Sequence, residues 1–141
     1  MQGFEFNTVR QIINGAGSAL QLASQCRRLG VSKPLLVTDP GLMAIGLVQP
    51  VLAALEAEGC TAVIFDQVRE DPPEATVLSA ADLGRSQEVD GVIAVGGGSS
   101  MDVAKVVAVL LGGRQALAQL YGVGNVSGER LPLVLVPTTA G

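Results

Sequence analysis

Three consecutive glycines, Gly96, Gly97 and Gly98, separate an apolar run from a segment with helical spacing. Residues 91–95 form the run, and apolar residues recur every three or four positions across residues 103–110. A strand, a glycine turn and a helix start bring free backbone N–H groups and the positive end of a helix dipole to one point. A phosphate is the usual ligand of such a point, and glycines let the backbone approach it without a Cβ in the way.

Ser99 and Asp102 follow the glycines at a spacing that has two interpretations. Ser99 at the N-cap with Asp102 three residues later would form a capping box, although capping alone does not require three glycines. A carboxylate beside a bound phosphate would be repelled unless backbone N–H groups hold it or it faces another part of the ligand. Lys105 is spaced to pair with Asp102, and a structural role for Lys105 is as acceptable as a functional one.

Asp39 follows the apolar segment 34–38, at the expected carboxyl edge of a sheet. An acidic side chain there can accept hydrogen bonds from both ribose hydroxyls of an adenosine, and it repels a 2′-phosphate. A turn or N-cap aspartate before Pro40 is the structural alternative, and the spacing does not decide between them. Thr138 and Thr139 end the last apolar run and offer uncharged hydroxyls, which by themselves indicate little.

Apolar runs and amphipathic stretches alternate along the chain. Strands are predicted at residues 34–38, 61–65, 92–95 and 133–136, and helices at 18–29, around 48–55, from 71 onward and at 99–111. The first of these helices is predicted to end at Gly30 and the second at Gly59. The third of these helices is predicted to begin with a capping box of Asp71 and Glu74 around Pro72. Short apolar strands separated by helices indicate a doubly wound, mostly parallel, Rossmann-like α/β sheet. Residues 4–9 and 12–13 are predicted to form a short N-terminal strand pair.

Composition limits the classes of function. The 141 residues suit one domain, and 48% of them are hydrophobic, which is typical of a buried core. The net charge of −4 argues against nucleic acid as a partner. No apolar run is long enough to span a bilayer and no signal peptide is recognisable, so a cytoplasmic protein without a membrane partner is expected. The chain has no histidine, which excludes Ser-His-Asp and Cys-His catalysis by this polypeptide alone. Cys26 shares a helical face with apolar residues and is interpreted as a small buried hydrophobe.

Several strings resemble one family. Residues 96–105, GGGSSMDVAK, resemble the GGGSxxDxAK signature of the iron-containing alcohol dehydrogenases, whose fold is similar to that of glycerol dehydrogenase and dehydroquinate synthase. The TDPGL string at 38–42 resembles the TDxGL turn of that family, and PTTAG at 137–141 resembles the opening of its PTTAGTGSE motif. Residues 71–73, Asp-Pro-Pro, stand where the family usually has Asn-Pro-Thr. The likeness runs from Phe4 to the last residue and covers the N-terminal half of the family.

The resemblance implies an oxidoreductase that transfers a hydride between NAD and a small alcohol or aldehyde, with residues 1–141 as its NAD-binding domain. In the family a helical C-terminal domain, absent from this chain, binds iron or zinc, so no catalytic residue or metal ligand is assigned here and the isolated chain is expected to be inactive. An acidic residue at position 39 is associated with NAD more than with NADP. The cofactor-binding residues implied are Asp39, Gly96, Gly97, Gly98, Ser99, Asp102, Thr138 and Thr139.

Two other functions stay open from the sequence. If 141 residues is the natural length, a nucleotide-binding module without catalysis is the better description. A lyase similar to dehydroquinate synthase would use the same nucleotide platform. The GGGSSMDVAK string and the TDPGL turn are, however, closer to the alcohol dehydrogenases. Because the chain stops directly after a predicted strand, it is interpreted as the N-terminal domain of a longer enzyme. The apolar surface that such a domain exposes favours a homo-oligomer.

Overall fold

Parallel strands form one sheet in the computed structural model, which describes residues 11–12, 21–112 and 130–138. The strands are β1 (Gln11–Ile12), β2 (Pro34–Val37), β3 (Val63–Phe65), β4 (Gly91–Gly96) and β5 (Leu133–Pro137). Their order across the sheet is β1-β5-β4-β2-β3, and every neighbouring pair is parallel. The predicted parallel α/β sheet is therefore confirmed.

Helices cover both faces of this sheet. They are α1 (Leu22–Leu29), α2 (Pro40–Ala44), α3 (Gln49–Ala57), α4 (Glu74–Ser86) and α5 (Gly98–Gly112). Buried side chains of α1, α2 and α3 pack in one hydrophobic core, and those of α4 and α5 pack in a second core on the opposite face. Within the described ranges, no helix is long and apolar enough to cross a membrane.

Strand β4 lies between β2 and β5, and all six of its residues are buried. Successive side chains of a strand point to opposite faces. Accordingly, Ile93 and Val95 join the core of α1 and α3, whereas Ala94 joins the core of α4 and α5. Burial on both faces explains why this strand reads as an unbroken apolar run in the sequence.

Helices α1 and α3 each end near a glycine whose backbone dihedral angles lie in the left-handed region. Gly30 ends α1 with φ of 77°, and its N–H donates to Arg27 O at 3.1 Å. Gly59 follows α3 with φ of 83°. Both glycines were predicted to end these helices, and both predictions are confirmed. In the predicted N-terminal strand pair, Ile12 lies in β1 and pairs with β5, whereas residues 4–9 and Ile13 lie outside the described residues.

The predicted start of α4 is wrong. The helix begins at Glu74, its N-cap is Pro73, and no side chain caps it. Asp71 instead has φ of 49° and precedes the helix in the loop. Two consecutive prolines explain the difference, because each proline disfavours helical dihedral angles in the residue before it. The backbone therefore enters the helix only after Pro73.

Asp90 joins the loops that precede β2 and β4 at the amino edge of the sheet. Its carboxylate accepts hydrogen bonds from the backbone N–H groups of Ser32 at 2.9 Å and Lys33 at 2.8 Å, and from the Ser32 hydroxyl at 2.9 Å. Partial burial alone would raise the pKa of Asp90, but these hydrogen bonds outweigh it and hold the pKa below its ordinary value.

Cys26 is a structural residue, as the sequence predicts. Its side chain is completely buried in the core of α1 and α3. Burial raises the pKa of the Cys26 thiol to about 12, and the Cys60 thiol and Asp90 add to that rise. A thiol with so high a pKa is protonated at neutral pH and is a poor nucleophile.

The order of the strands determines where a ligand can bind. The chain leaves β2 through α2 and α3 for β3 on one side, and it leaves β4 through α5 for β5 on the other side. The connections that follow these two neighbouring strands therefore run in opposite directions. In open parallel sheets, ligands bind at such a switch point, beyond the carboxyl ends of the strands.

Candidate nucleotide-binding site

The turn between β4 and α5 is shaped by two different uses of glycine. Gly96 has φ of 154°, and a Cβ built on it would lie 2.9 Å from Ser100 Oγ and 3.0 Å from Ser100 Cβ. A side chain at Gly96 is therefore excluded by backbone conformation and by packing. Gly97 and Gly98 are different, because a Cβ on either would have no atom of the described residues within 4 Å. Their open sides leave room for a ligand to approach the backbone.

The first turn of α5 presents unpaired backbone donors at this point. Met101 N donates to Gly97 O at 3.1 Å, and the N–H groups of Gly98, Ser99 and Ser100 precede that bond. Such groups have no acceptor within a helix. The 15 residues of α5 also carry a helix dipole whose positive end lies here. The turn can therefore bind an anion through the main chain alone.

Asp39 lies across the switch point, directly after β2. Its Oδ1 accepts a hydrogen bond from Leu42 N at 2.8 Å and so caps α2. A Cβ on Gly41 would lie 3.2 Å from the same oxygen, so a small residue at position 41 helps the cap to form. Asp39 therefore has the N-cap role that was the structural alternative to binding a ribose. Oδ2 makes no hydrogen bond with the described residues, so one carboxylate oxygen stays available to a ligand.

Two threonines hold the ends of the central strands together. Thr38 is completely buried and its Oγ1 donates to Val95 O at 2.7 Å, which links β2 to β4. Thr138 N donates to Gly96 O at 3.0 Å, which links the end of β5 to the glycine turn. Thr138 is partly exposed at this edge. Thr139 lies outside the described residues.

A cleft of about 420 Å³ opens at the carboxyl edge of the sheet. Five of the residues predicted to bind a cofactor contribute to its walls, namely Asp39, Gly97, Gly98, Ser99 and Thr138. They come from three separate places in the sequence. The fold brings them together because the carboxyl ends of β2, β4 and β5 meet at one edge.

Gly96 and Asp102, the other described residues predicted to bind a cofactor, do not line this cleft. Gly96 is buried at the end of β4, where it packs against Ser100 at the start of the turn. Asp102 is exposed on α5 and forms no hydrogen bond or ion pair with the described residues, and the suggested pair with Lys105 is absent there. The capping-box interpretation of Ser99 is wrong, because α5 begins at Gly98 and Ser99 lies inside its first turn. The cofactor role of Asp102 stays a prediction.

Sequence reasoning missed one wall of the cleft. Val68, Arg69 and Glu70, in the loop between β3 and α4, line it together with Pro40, Leu42 and Ser100. Val68 is buried, and its N–H donates to Thr38 O at 3.3 Å, so the loop passes back over the end of β2. The signal that could have found these residues is their position after β3, because loops at the carboxyl ends of strands form such sites.

Candidate metal ligands are not grouped in the described part of this chain. Among these residues there is no cluster of three or more His, Cys, Asp or Glu side chains that could hold a metal ion. Their donor set therefore does not fit a metal site.

Comparisons with known proteins agree with this geometry. The family model described as iron-containing alcohol dehydrogenase matches residues 9–141. A 4-hydroxybutyrate dehydrogenase from Cupriavidus necator is 39% identical over 129 residues, which are 89% of this chain and 33% of that protein.

Solved structures of oxidoreductases also resemble this chain. A 1,3-propanediol oxidoreductase superposes with a TM-score of 0.87 and 31% identity, covering 99% of this chain and 37% of that one. A sulfoacetaldehyde reductase from Bifidobacterium kashiwanohense in complex with NAD⁺ superposes with a TM-score of 0.82 and 26% identity, covering 100% of this chain and 37% of that one. The chain thus spans about a third of the length of the relatives it matches. It belongs to the iron-containing alcohol dehydrogenase family.

Proposed function

We propose that this chain binds NAD in the cleft between β2 and β4 and forms the cofactor-binding part of an alcohol dehydrogenase. The observation that carries the proposal is the glycine turn, which offers unpaired amides of α5 on a side where no Cβ blocks access. A diphosphate carries negative charge and several acceptor oxygens, so its chemistry matches these donors. The NAD⁺ complex of the sulfoacetaldehyde reductase supports the same cofactor.

Different residues of the cleft would bind different parts of the dinucleotide. Gly97 and Gly98 would admit the diphosphate to the main chain, with Ser99 beside it. Asp39 Oδ2 would accept hydrogen bonds from the adenosine ribose while Oδ1 keeps its bond to Leu42 N at 2.8 Å. A negative charge at that position disfavours a 2′-phosphate, so NAD is the preferred cofactor and NADP the weaker one.

The residues after β5 offer uncharged hydroxyls for adenine or phosphate contacts. Thr138 is held to the turn by its bond to Gly96 O at 3.0 Å, and Thr138 and Thr139 would line the nucleotide pocket. Asp102, exposed one helical turn along α5, would face the sugar and nicotinamide rather than the phosphates, because its charge repels them. When bound, NAD supplies the carbon that accepts or donates the hydride. The domain itself binds and orients it.

The reaction that uses the bound NAD is proposed for the whole protein. We propose a hydride transfer between NAD and a small alcohol or aldehyde, with iron or zinc held by residues outside this chain and polarising the substrate oxygen. Relatives named for 4-hydroxybutyrate, sulfoacetaldehyde and 1,3-propanediol support a small hydroxyl or aldehyde substrate. A cytoplasmic homo-oligomer without a nucleic-acid or membrane partner is the expected form.

Isothermal titration of this chain with NAD and with NADP tests the proposal. We expect saturable binding of NAD and weaker binding of NADP, because Asp39 opposes the additional phosphate. Binding of neither nucleotide would refute the cofactor site. Tighter binding of NADP would refute the role of Asp39 while leaving the diphosphate turn in place.

A further inference from the structure

Ser100 is a buried polar residue that the roles given above do not use. Its side chain is 1% exposed, and Oγ has no hydrogen-bond partner among the described residues. A buried hydroxyl without a partner lowers the stability of the folded state, and such groups are rare in native structures, so each one needs an explanation. The buried hydroxyl of Thr38 in the same region is satisfied, since it donates to Val95 O at 2.7 Å.

The position of Ser100 connects this hydroxyl with the anion site. Ser100 lies in the first turn of α5 and lines the cleft. Its Oγ would be 2.9 Å from a Cβ on Gly96, so the hydroxyl lies directly against the glycine turn. Side chains of a helix tilt toward its N-terminus, and in α5 that is the direction in which the unpaired amides of Gly98 and Ser99 lie.

We propose that the Ser100 hydroxyl donates a hydrogen bond to a phosphate oxygen of the bound nucleotide, beside the main-chain amides. This inference rests on the proposed function. A hydroxyl suits the role because it is neutral, can rotate to meet the oxygen, and forms a stronger bond with a charged acceptor than with a neutral one. Ser100 also lines the cleft that this oxygen would occupy.

The proposal explains why a buried donor is left unpaired in the free protein. A serine here costs stability until a phosphate oxygen satisfies it, so stability and binding should respond in opposite directions when the hydroxyl is removed. A purely structural serine would behave differently, because its loss would leave the affinity for a phosphate-bearing ligand unchanged.

The test is Ser100→Ala, with ADP and adenosine as the two probes. We expect the affinity for ADP to fall by at least about tenfold, the affinity for adenosine to stay unchanged, and the melting temperature without ligand to stay equal or rise. Titration calorimetry measures ADP binding, NMR titration measures adenosine binding, and thermal unfolding measures stability. Ser79→Ala, an exposed serine on α4, is the matched control and should change none of these quantities.

Each other result has a definite meaning. If Ser100→Ala binds ADP as tightly as the unmodified chain does, the inference is overturned and the nucleotide site stands. An equal loss of affinity for ADP and adenosine would also overturn it, because the effect would then be a distortion of the whole cleft. If the unmodified chain binds neither NAD nor ADP, the proposed function itself fails.

Discussion

Asp39 has two carboxylate oxygens, and only one of them has a partner within the described part of the chain. Oδ1 caps α2 through Leu42 N at 2.8 Å, which contributes about 1 kcal/mol to stability. Oδ2 and the negative charge are the features that would distinguish NAD from NADP. The structural and functional interpretations of this residue are therefore compatible, and different substitutions can separate them.

Asp39→Asn should change cofactor preference without changing stability. Asparagine is as good an N-cap as aspartate, so the bond to Leu42 N is kept while the charge is lost. We expect the ratio of NADP to NAD dissociation constants to fall by about tenfold, because a repulsion of roughly 1.4 kcal/mol is removed. Asp39→Ala should shift the ratio similarly and also lower the unfolding free energy by about 1 kcal/mol. Titration calorimetry and urea unfolding measure both effects, and an unchanged ratio in Asp39→Asn would remove Asp39 from the ribose.

Gly96→Ala should damage folding. The methyl group would meet Ser100 Oγ at 2.9 Å, and φ of 154° is strained for any L side chain. We expect a loss of about 1–3 kcal/mol in the unfolding free energy, measured by urea denaturation. Wild-type stability in this variant would contradict the packing of the turn against Ser100.

Among the elements, the loops before β2 and β4 depend on one carboxylate. Asp90 is the shared acceptor for Ser32 and Lys33, so it fixes the amino ends of β2 and β4. The cleft lies at the carboxyl ends of the same two strands. Asp90→Asn keeps the shape of the side chain but loses its charge. We expect the unfolding free energy at pH 7 to fall by about 1–2 kcal/mol.

The pH dependence of that loss has a definite sign. Because folding lowers the pKa of Asp90 below its ordinary value of 3.8, its stabilisation is complete above that value and disappears as the pH falls through the folded-state pKa. The difference between the unmodified chain and Asp90→Asn should therefore be constant from pH 5 to 7 and shrink below about pH 4. Asp82→Asn is the control, since Asp82 is exposed and, among the described residues, has only a surface pair with Arg85 at 3.4 Å. Equal effects of the two substitutions would contradict the bridging role of Asp90.

Sequence reasoning succeeded for elements whose local signals agree with their packing. The apolar run of β4, the glycine turn after it and Gly30 at the end of α1 are each determined within a few residues. It failed at Asp71, where the capping pattern is present but the proline that follows keeps the backbone out of the helix. A pattern of types and spacing does not contain the dihedral angles that neighbouring prolines impose.

At the scale of the whole molecule, the site depends on strand order. Asp39, Gly97 and Thr138 were each predicted from local position, and their presence in one cleft follows from the parallel neighbours β2, β4 and β5. Arg69 and Glu70 were missed because the loop after β3 carries no motif of its own. Ser100 was missed because a serine between motif residues gives no indication that its hydroxyl is buried without a partner.

The central claim is that the open side of the glycine turn holds the diphosphate of NAD, and Gly97→Val tests it most directly. Within the part of the chain that the structure describes, a Cβ at Gly97 meets no atom within 4 Å, so the variant should fold with nearly the melting temperature of the unmodified chain. Titration calorimetry with NAD should then give saturable binding for the unmodified chain and no measurable binding for Gly97→Val, because the side chain would fill the space of the diphosphate. A folded Gly97→Val chain that binds NAD with unaltered affinity would contradict the claim.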